Sequence, residues 1–285
     1  MQIGIGVTMT KSKERLSRLW RRLTGWAVEL WVNTTGKPII FTDYAGYRYW
    51  QFVGEEIRSN WERGSITDSV NVVQYVLKNV KQGWICVDIG AHIGGISVPM
   101  WSRASPTGKV ISVEADPRNI KQIKANLSLN GYPQDYVVNA AVIDKAGTVQ
   151  LRCYEGINGW QTLGNPSFAS SHKSFLIEAP AISFGDLVDM FNLRSIGLVK
   201  IDVEGAEPLV LKGMATFLQK KQIGCVIFEV NHLMLEGFGK TVAELMSFWD
   251  DFDYGLWRLA PDGSLVEIQN RWPNNLIGDC VALPR

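Results

Sequence analysis

The sequence predicts a doubly wound α/β domain, built on a mostly parallel seven-stranded sheet and preceded by a helix-and-hairpin extension. Three observations carry that expectation. From residue 84 onward, apolar runs alternate with helical stretches, the pattern of a parallel sheet with crossover helices. Runs such as Cys225-Val-Ile-Phe228 are apolar at every position, as strands buried on both faces are. A turn bearing Gly90 and Gly94 follows the first run and opens a helix, where doubly wound sheets place their ligands.

The elements follow in order. With 285 residues, 46% hydrophobic and 20% charged, the chain suits one such domain at 66–285 and an extension at 1–65. Residues 11–32 read as an amphipathic helix, with Leu16, Leu19, Trp20, Leu23, Trp26, Ala27, Leu30 and Trp31 at helical spacing. Its first half is basic (Lys11, Lys13, Arg15, Arg18, Arg21, Arg22 against Glu14). Such a helix can lie in a membrane interface; the other reading packs it on the domain or on a second copy of the chain. Residues 38–55 read as a hairpin broken at Asp43 and Gly46, and 66–81 as a helix capped by Thr67 or Asp68. Strands are expected at 84–88, 109–114, 135–140, 197–202, 223–230, 254–260 and 279–283. Helices are expected at 93–103, 117–129, 183–191, 205–220 and 240–251. The stretch 147–180 breaks the rhythm: a strand, Thr148–Cys153, runs into a loop rich in Gly, Asn and Ser, read as an insertion over the functional face.

The bulk numbers narrow the function classes. A net charge of +1 makes no case for a polyanion binder, so no nucleic-acid partner is expected. The four cysteines form no C-x-x-C pair and read as buried free thiols, which suits a reducing cytoplasm. No apolar run reaches the roughly 18 residues of a membrane span. The first ten residues lead into a basic stretch and do not read as a signal peptide.

Two segments carry the chemistry. In Trp84-Ile-Cys-Val-Asp-Ile-Gly-Ala-His-Ile-Gly-Gly95 a buried strand ends at Asp88, and Gly90 permits positive φ and close backbone approach. The spacing is D-x-G-x-x-x-G, which departs from the dinucleotide G-x-G-x-x-G. Twenty-six residues on, Lys109-Val-Ile-Ser-Val-Glu114 ends in an acid placed to accept the two hydroxyls of a ribose. Asp88, Gly90, Ala91, His92, Gly94, Glu114, Ala115 and Asp202 are therefore the candidate cofactor-binding residues. Asp88, Glu114, Asp116, Asp202, Glu204 and Glu229 all fall at or just past strand ends. Such a ring of carboxylates opposes a pyrophosphate and favours a donor carrying ammonium and sulfonium charges, as S-adenosylmethionine does. The second segment, Leu198-Val-Lys-Ile-Asp-Val-Glu-Gly-Ala-Glu-Pro-Leu209, ends a strand at Asp202 and starts a helix that tolerates Pro208 in its first turn.

Val87-Asp-Ile-Gly-Ala-His-Ile-Gly94, Val113-Glu-Ala-Asp-Pro117, Asn126-Leu-Ser-Leu-Asn130 and Lys200-Ile-Asp-Val-Glu-Gly-Ala-Glu207 closely resemble the pattern of the FkbM methyltransferases, in order and spacing. Leu211-Lys-Gly213 and Phe228-Glu229 continue it. The resemblance implies a Rossmann-like, class I methyltransferase fold, S-adenosyl-L-methionine as donor, and an O-methyltransferase acting on a sugar, glycolipid or secondary metabolite. His92 stands where that family commonly has Asn.

Methyl transfer to a hydroxyl calls for in-line positioning and for a base or a metal. Asp202 is the first candidate for either role, Glu204 can assist it, and His232 is the second candidate base. Three histidines without metal-ligand spacing argue against a zinc site, while a single Mg²⁺ on carboxylates stays open. His172, in the insertion, reads as an exposed loop residue. Asn165-Pro-Ser-Phe168 and Gly4-Ile-Gly6 read as turn chemistry and as a glycine match without context. The competing readings are an NAD-dependent oxidoreductase or epimerase and a non-catalytic cofactor-binding scaffold. The expected location is the cytoplasm, with peripheral contact at the inner membrane face through residues 11–32, and with self-association as a further partner expectation.

Overall fold

The computed structural model describes residues 11–52, 57–268 and 272–285, with side chains from Trp20 onward. The first ten residues, Gly4-Ile-Gly6 among them, and the end of the expected hairpin at 53–55 lie outside the described residues. The chain divides into two units between Asp68 and Ser69.

In the first unit, helix α1 (Lys11–Thr35) is followed by the hairpin β1 (Ile39–Thr42) and β2 (Arg48–Gln51), then by α2 (Ile57–Arg63). The hairpin pairs Ile39 with Gln51 and Thr42 with Arg48. Its turn is tied by Asp43, whose Oδ1 accepts from the Ala45 and Tyr47 amides at 2.9 Å each. Gly25 lets α1 approach α2 closely, since a Cβ there would stand 3.0 Å from the Trp61 Cβ.

The second unit contains α3 (Val70–Asn79), β3 (Ile85–Ile89), α4 (Ser97–Ala104), β4 (Lys109–Glu114), α5 (Pro117–Leu129) and β5 (Val137–Asn139). After β6 (Ala141–Ile143), β7 (Gly147–Tyr154), β8 (Ile157–Thr162) and β9 (Ser174–Ser183) come α6 (Phe184–Phe191), β10 (Leu198–Ile201) and α7 (Glu207–Gln219). The chain ends with β11 (Val226–Val230), α8 (His232–Glu236), α9 (Val242–Ser247), β12 (Tyr254–Leu259), β13 (Leu265–Glu267) and β14 (Gly278–Pro284). The main sheet has the order β13-β12-β14-β11-β10-β3-β4-β5. The block β11-β10-β3-β4-β5 is parallel, and β14 runs antiparallel to both β11 and β12. The order reverses beside β3: the chain moves outward to β4 and β5, then returns to β10 and β11 on the other side. This is the Rossmann-like doubly wound arrangement, with its ligand position at the carboxyl ends of β3 and β10. All seven expected strands are present, and β13 adds an eighth at the edge.

Local sequence explains the elements. Strands β3, β4, β10 and β11 are buried across nearly their whole length, Val87, Ile111, Val199 and Phe228 at 0% exposure among them, so apolar runs rather than alternation mark them. Helix α5 begins at Pro117 because Asp116 caps it, Oδ1 accepting the Arg118 amide at 2.9 Å. Helix α6 opens with a capping box, Ser183 and Asp186 bonding reciprocally.

Three expectations need correction. The loop expected after Cys153 is instead a second sheet, β6-β9-β7-β8, spanning 141–183. Strand β9 carries Pro180 one residue before its second neighbour, β6, begins to pair at Ala181, so the missing N–H falls where only β7 is bonded. The helix expected at 66–81 starts at Val70, with Ser69 rather than Thr67 or Asp68 at the N-cap position. The helix expected from residue 93 starts at Ser97, because Gly90, His92 and Gly94 are all left-handed and turn the preceding segment into a loop.

Candidate functional site

The site is built from loops that follow β3, β4, β10 and β11. Asp88 and Lys200 occupy adjacent positions in register on β3 and β10, and Ser112 stands beside Asp88 on β4, so the three side chains share one face. Asp88 is fully buried. Its Oδ2 accepts from the Ser97 hydroxyl at 2.5 Å, and Ser97 in turn accepts from Ser112 at 2.8 Å. Asp88 Oδ1 has no hydrogen-bond partner and lies 3.8 Å from Lys200 Nζ. Burial pushes the Asp88 carboxyl above the usual range, against the pull of Lys200. Lys200, 4% exposed, reaches Asp202 Oδ2 at 3.1 Å and the Gly90 carbonyl at 3.2 Å. Burial alone would lower its ammonium pKa; the Asp202 and Asp88 carboxylates outweigh burial and raise it.

Gly90 is required twice over. Its φ is +78°, and a Cβ would stand 1.7 Å from the Asp202 carbonyl oxygen. That closeness joins the two loops, since the Asp202 amide also donates to the Ile89 carbonyl at 3.0 Å. The Gly90 and Ala91 amides both donate to Val113, and the His92 amide donates to Glu114 Oε2 at 2.7 Å. His92 has φ +51°, a region in which Asn and His are both enriched. The departure at this position therefore preserves the backbone requirement. Burial, the largest cause, lowers the imidazole pKa, and its Nε2 is buried without a partner. Asn126 fixes the same loop through the Ile93 carbonyl at 2.8 Å.

Glu114 is 7% exposed. Its second oxygen, Oε1, accepts from the Asp116 amide at 2.7 Å, and burial, outweighing both amide bonds, pushes the carboxyl up to about 7. Each oxygen keeps a further acceptor direction. Ala115 is half-buried, and its carbonyl accepts from Asn139 Nδ2 at 3.0 Å.

Around Asp202 a group of acids collects. Asp202 is a quarter exposed. Glu204 (φ +53°) and Glu229 are pushed well above the usual range by burial first, then by the Asp202 charge. Burial raises Glu207 to about 7 and Asp279 to about 6, with Asp202 adding to both. Glu229 and Asp279 face each other across β11 and β14. Glu207 Oε1 accepts the Val203 amide at 3.0 Å, while its Oε2 and Glu229 Oε2 are buried without partners. The second sheet reaches this loop through Thr162, whose hydroxyl donates to the Glu204 carbonyl at 2.7 Å. Asn165 and Ser167 hold α8 through Gly237 and Glu236, so the Asn165–Phe168 block is a connecting turn.

The structure thus brings Asp88, Gly90 and Asp202 into direct contact through Lys200, and joins Ala91, His92 and Glu114 through one backbone network. Gly94, left-handed at φ +89°, sits beside Ile123 of α5. His232 stands apart: it opens α8 with Nδ1 buried and unpartnered, and among the described residues no hydrogen bond or ion pair joins it to Asp202. His172 is exposed, edge-on to Trp160 at 5.6 Å. Sequence reasoning assigned no role to Lys200, Asp279, Thr162 or Ser97. Among the described residues no set of three or more His, Cys, Asp or Glu side chains is arranged to hold a metal ion, so the open Mg²⁺ alternative gains no support. All four cysteines are buried and unpaired.

The family model described as methyltransferase FkbM domain matches residues 88–256. Similar solved structures include the precorrin-6y C5,15-methyltransferase of Geobacter metallireducens (12% identity, 77% of this chain and 90% of that one, TM-score 0.42). A SAM-dependent O-methyltransferase of Thermotoga maritima shares 14% identity over 87% of this chain and 77% of that one, with TM-score 0.43. TYW2 of M. jannaschii, in complex with AdoMet, shares 12% identity over 86% and 84%, with TM-score 0.42. Comparison with curated proteins gives no match.

Proposed function

The chain belongs to the FkbM methyltransferase family, and from that premise we propose that it is an S-adenosylmethionine-dependent O-methyltransferase acting on a hydroxyl of a sugar, glycolipid or secondary metabolite. The observation that carries the donor assignment is the excess of buried acceptor oxygens on β3, on β11 and at the start of α7. Asp88 Oδ1, Glu207 Oε2 and Glu229 Oε2 are buried without partners, around a loop whose Gly90 admits no side chain. Buried polar groups without partners are costly, so a ligand rich in cations and donors fits them. The donor, when bound, supplies an electrophilic methyl group on a sulfonium. Glu114 would accept from ribose hydroxyls through its free lone pairs; Ala91, His92 and Ala115 would line the same end, with Gly94 and Asn126 holding the loop in shape. Asp88 and the acids around Asp202 would face the positively charged end.

For the acceptor, Asp202 is the proton-taking group. Its side chain is a quarter exposed, and Lys200 fixes the direction of its carboxylate at 3.1 Å. Glu204, raised by burial and by Asp202, is suited to donate a hydrogen bond rather than take a proton. His232, the first residue of α8, is the second candidate base.

The test has two parts. S-adenosylhomocysteine should raise the melting temperature, and NAD should not; the reverse order would establish the oxidoreductase reading. In a labelled-methyl release assay with hydroxylated acceptors, Asp202→Ala should lose transfer yet still bind S-adenosylhomocysteine. Near-normal turnover in that variant rejects the role given to Asp202, and donor uptake without transfer to any acceptor favours the scaffold reading.

A further inference from the structure

Helix α1 buries one side and leaves the other bare. Gly25 and Val32 are buried, with Gly25 closing on Trp61 of α2. Trp20, Leu23, Trp26, Leu30 and Trp31 are exposed by 69%, 59%, 57%, 53% and 46%. At 100° per residue these five fall in a stripe about 140° wide, opposite Gly25 and Val32. In the sequence, Leu16 and Leu19 keep the same spacing toward the helix start. No other tryptophan among the described residues is an exposed large hydrophobic. A contiguous apolar surface of this kind marks an interaction site.

Charge selects the occupant. Residues 11–35 hold six cations (Lys11, Lys13, Arg15, Arg18, Arg21, Arg22) and two acids (Glu14, Glu29), a net of +4 in a chain whose total is +1, which leaves −3 for the rest. A second copy laid face to face in parallel would bring two such basic blocks together. An anionic headgroup layer instead attracts them, and indole rings favour that interface. No helix of the described residues is long and apolar enough to cross a membrane.

We propose that α1 docks this protein on an anionic lipid bilayer, lying in the plane of the interface with Trp20, Leu23, Trp26, Leu30 and Trp31 toward the acyl chains. The inference is independent of the methyl-transfer reading, because its readout is binding alone.

The experiment is co-sedimentation of the full chain with phosphatidylcholine vesicles, with and without phosphatidylserine. Phosphatidylserine should raise the partition coefficient roughly tenfold or more, and added salt should weaken it. The double variant Trp26→Glu and Leu30→Glu should lose binding while keeping its melting temperature, both side chains being exposed. A variant that sediments as wild type does overturns the proposal. So does a wild-type chain that ignores the vesicles, whether it stays single or forms a dimer that the double variant abolishes in analytical ultracentrifugation.

Discussion

Replacing Lys200 by methionine probes the connection between the two loops. The ammonium lies 3.1 Å from Asp202, 3.2 Å from the Gly90 carbonyl and 3.8 Å from Asp88 Oδ1. Methionine keeps much of the apolar stem, so the change removes charge more than packing. Removing one partner of a buried ion pair costs about 3–5 kcal/mol, because the remaining charge stays desolvated. Asp202, a quarter exposed, recovers solvent and contributes little of this. Asp88, fully buried with Ser97 as its remaining hydrogen-bond partner, dominates. The loss of the Gly90 contact adds about 1 kcal/mol, so the total expected near pH 8 is about 4–6 kcal/mol. The sign of its pH dependence follows from Asp88, whose folded pKa is already raised by burial. A raised carboxyl stabilises the fold in its protonated form, and that contribution is lost as pH rises. Losing Lys200 raises it further, so the deficit should shrink near pH 5 and grow toward pH 8. Urea unfolding of both proteins at the two pH values measures this, and adding Asp88→Asn to the variant should restore most of the loss. A pH-independent deficit under about 1 kcal/mol, or no rescue by Asp88→Asn, would refute the reasoning.

Gly90→Ala should lower stability by more than about 3 kcal/mol: left-handed backbone at a non-glycine residue costs about 1–3 kcal/mol, and relieving a 1.7 Å approach must separate β3 from the Asp202 loop. Thermal denaturation with unchanged midpoint would contradict it. Donor binding should also depend on pH. Glu114 sits at about 7 in the free protein, and hydroxyl donors favour its ionised form, so binding expels a proton below that pH. Affinity for S-adenosylhomocysteine should climb toward tenfold per unit as pH rises to about 7, then level off; a flat profile in calorimetry speaks against the Glu114 contact.

Much of the fold is legible because β3, β4, β10 and β11 are buried along most of their length and therefore read as mainly apolar runs. Asp116-Pro117 marked the start of α5 at the residue where it begins. The second sheet was not legible: Ile157–Thr162 has neither an apolar run nor clean alternation, and Pro180 argues against a strand unless its one-sided pairing is known. Strand-end position put Asp88, Glu114, Asp202 and Glu229 at one rim, since that needs only the strand boundaries. Lys200 lay inside a recognised motif, but a fully buried strand gives no sign of which residue faces a charge across the sheet. Asp279 meets Glu229 only through an antiparallel pairing fifty residues apart in sequence, which no local pattern reports.

The most direct test of the central claim, that the acid rim receives a cationic adenosyl donor, is calorimetric titration of the intact protein with S-adenosylmethionine at neutral pH. Saturable binding at about one donor per chain, weakened at least roughly tenfold by Glu114→Gln, is the expected result. Absence of binding up to millimolar donor, or equal affinity in the Glu114 variant, would contradict it.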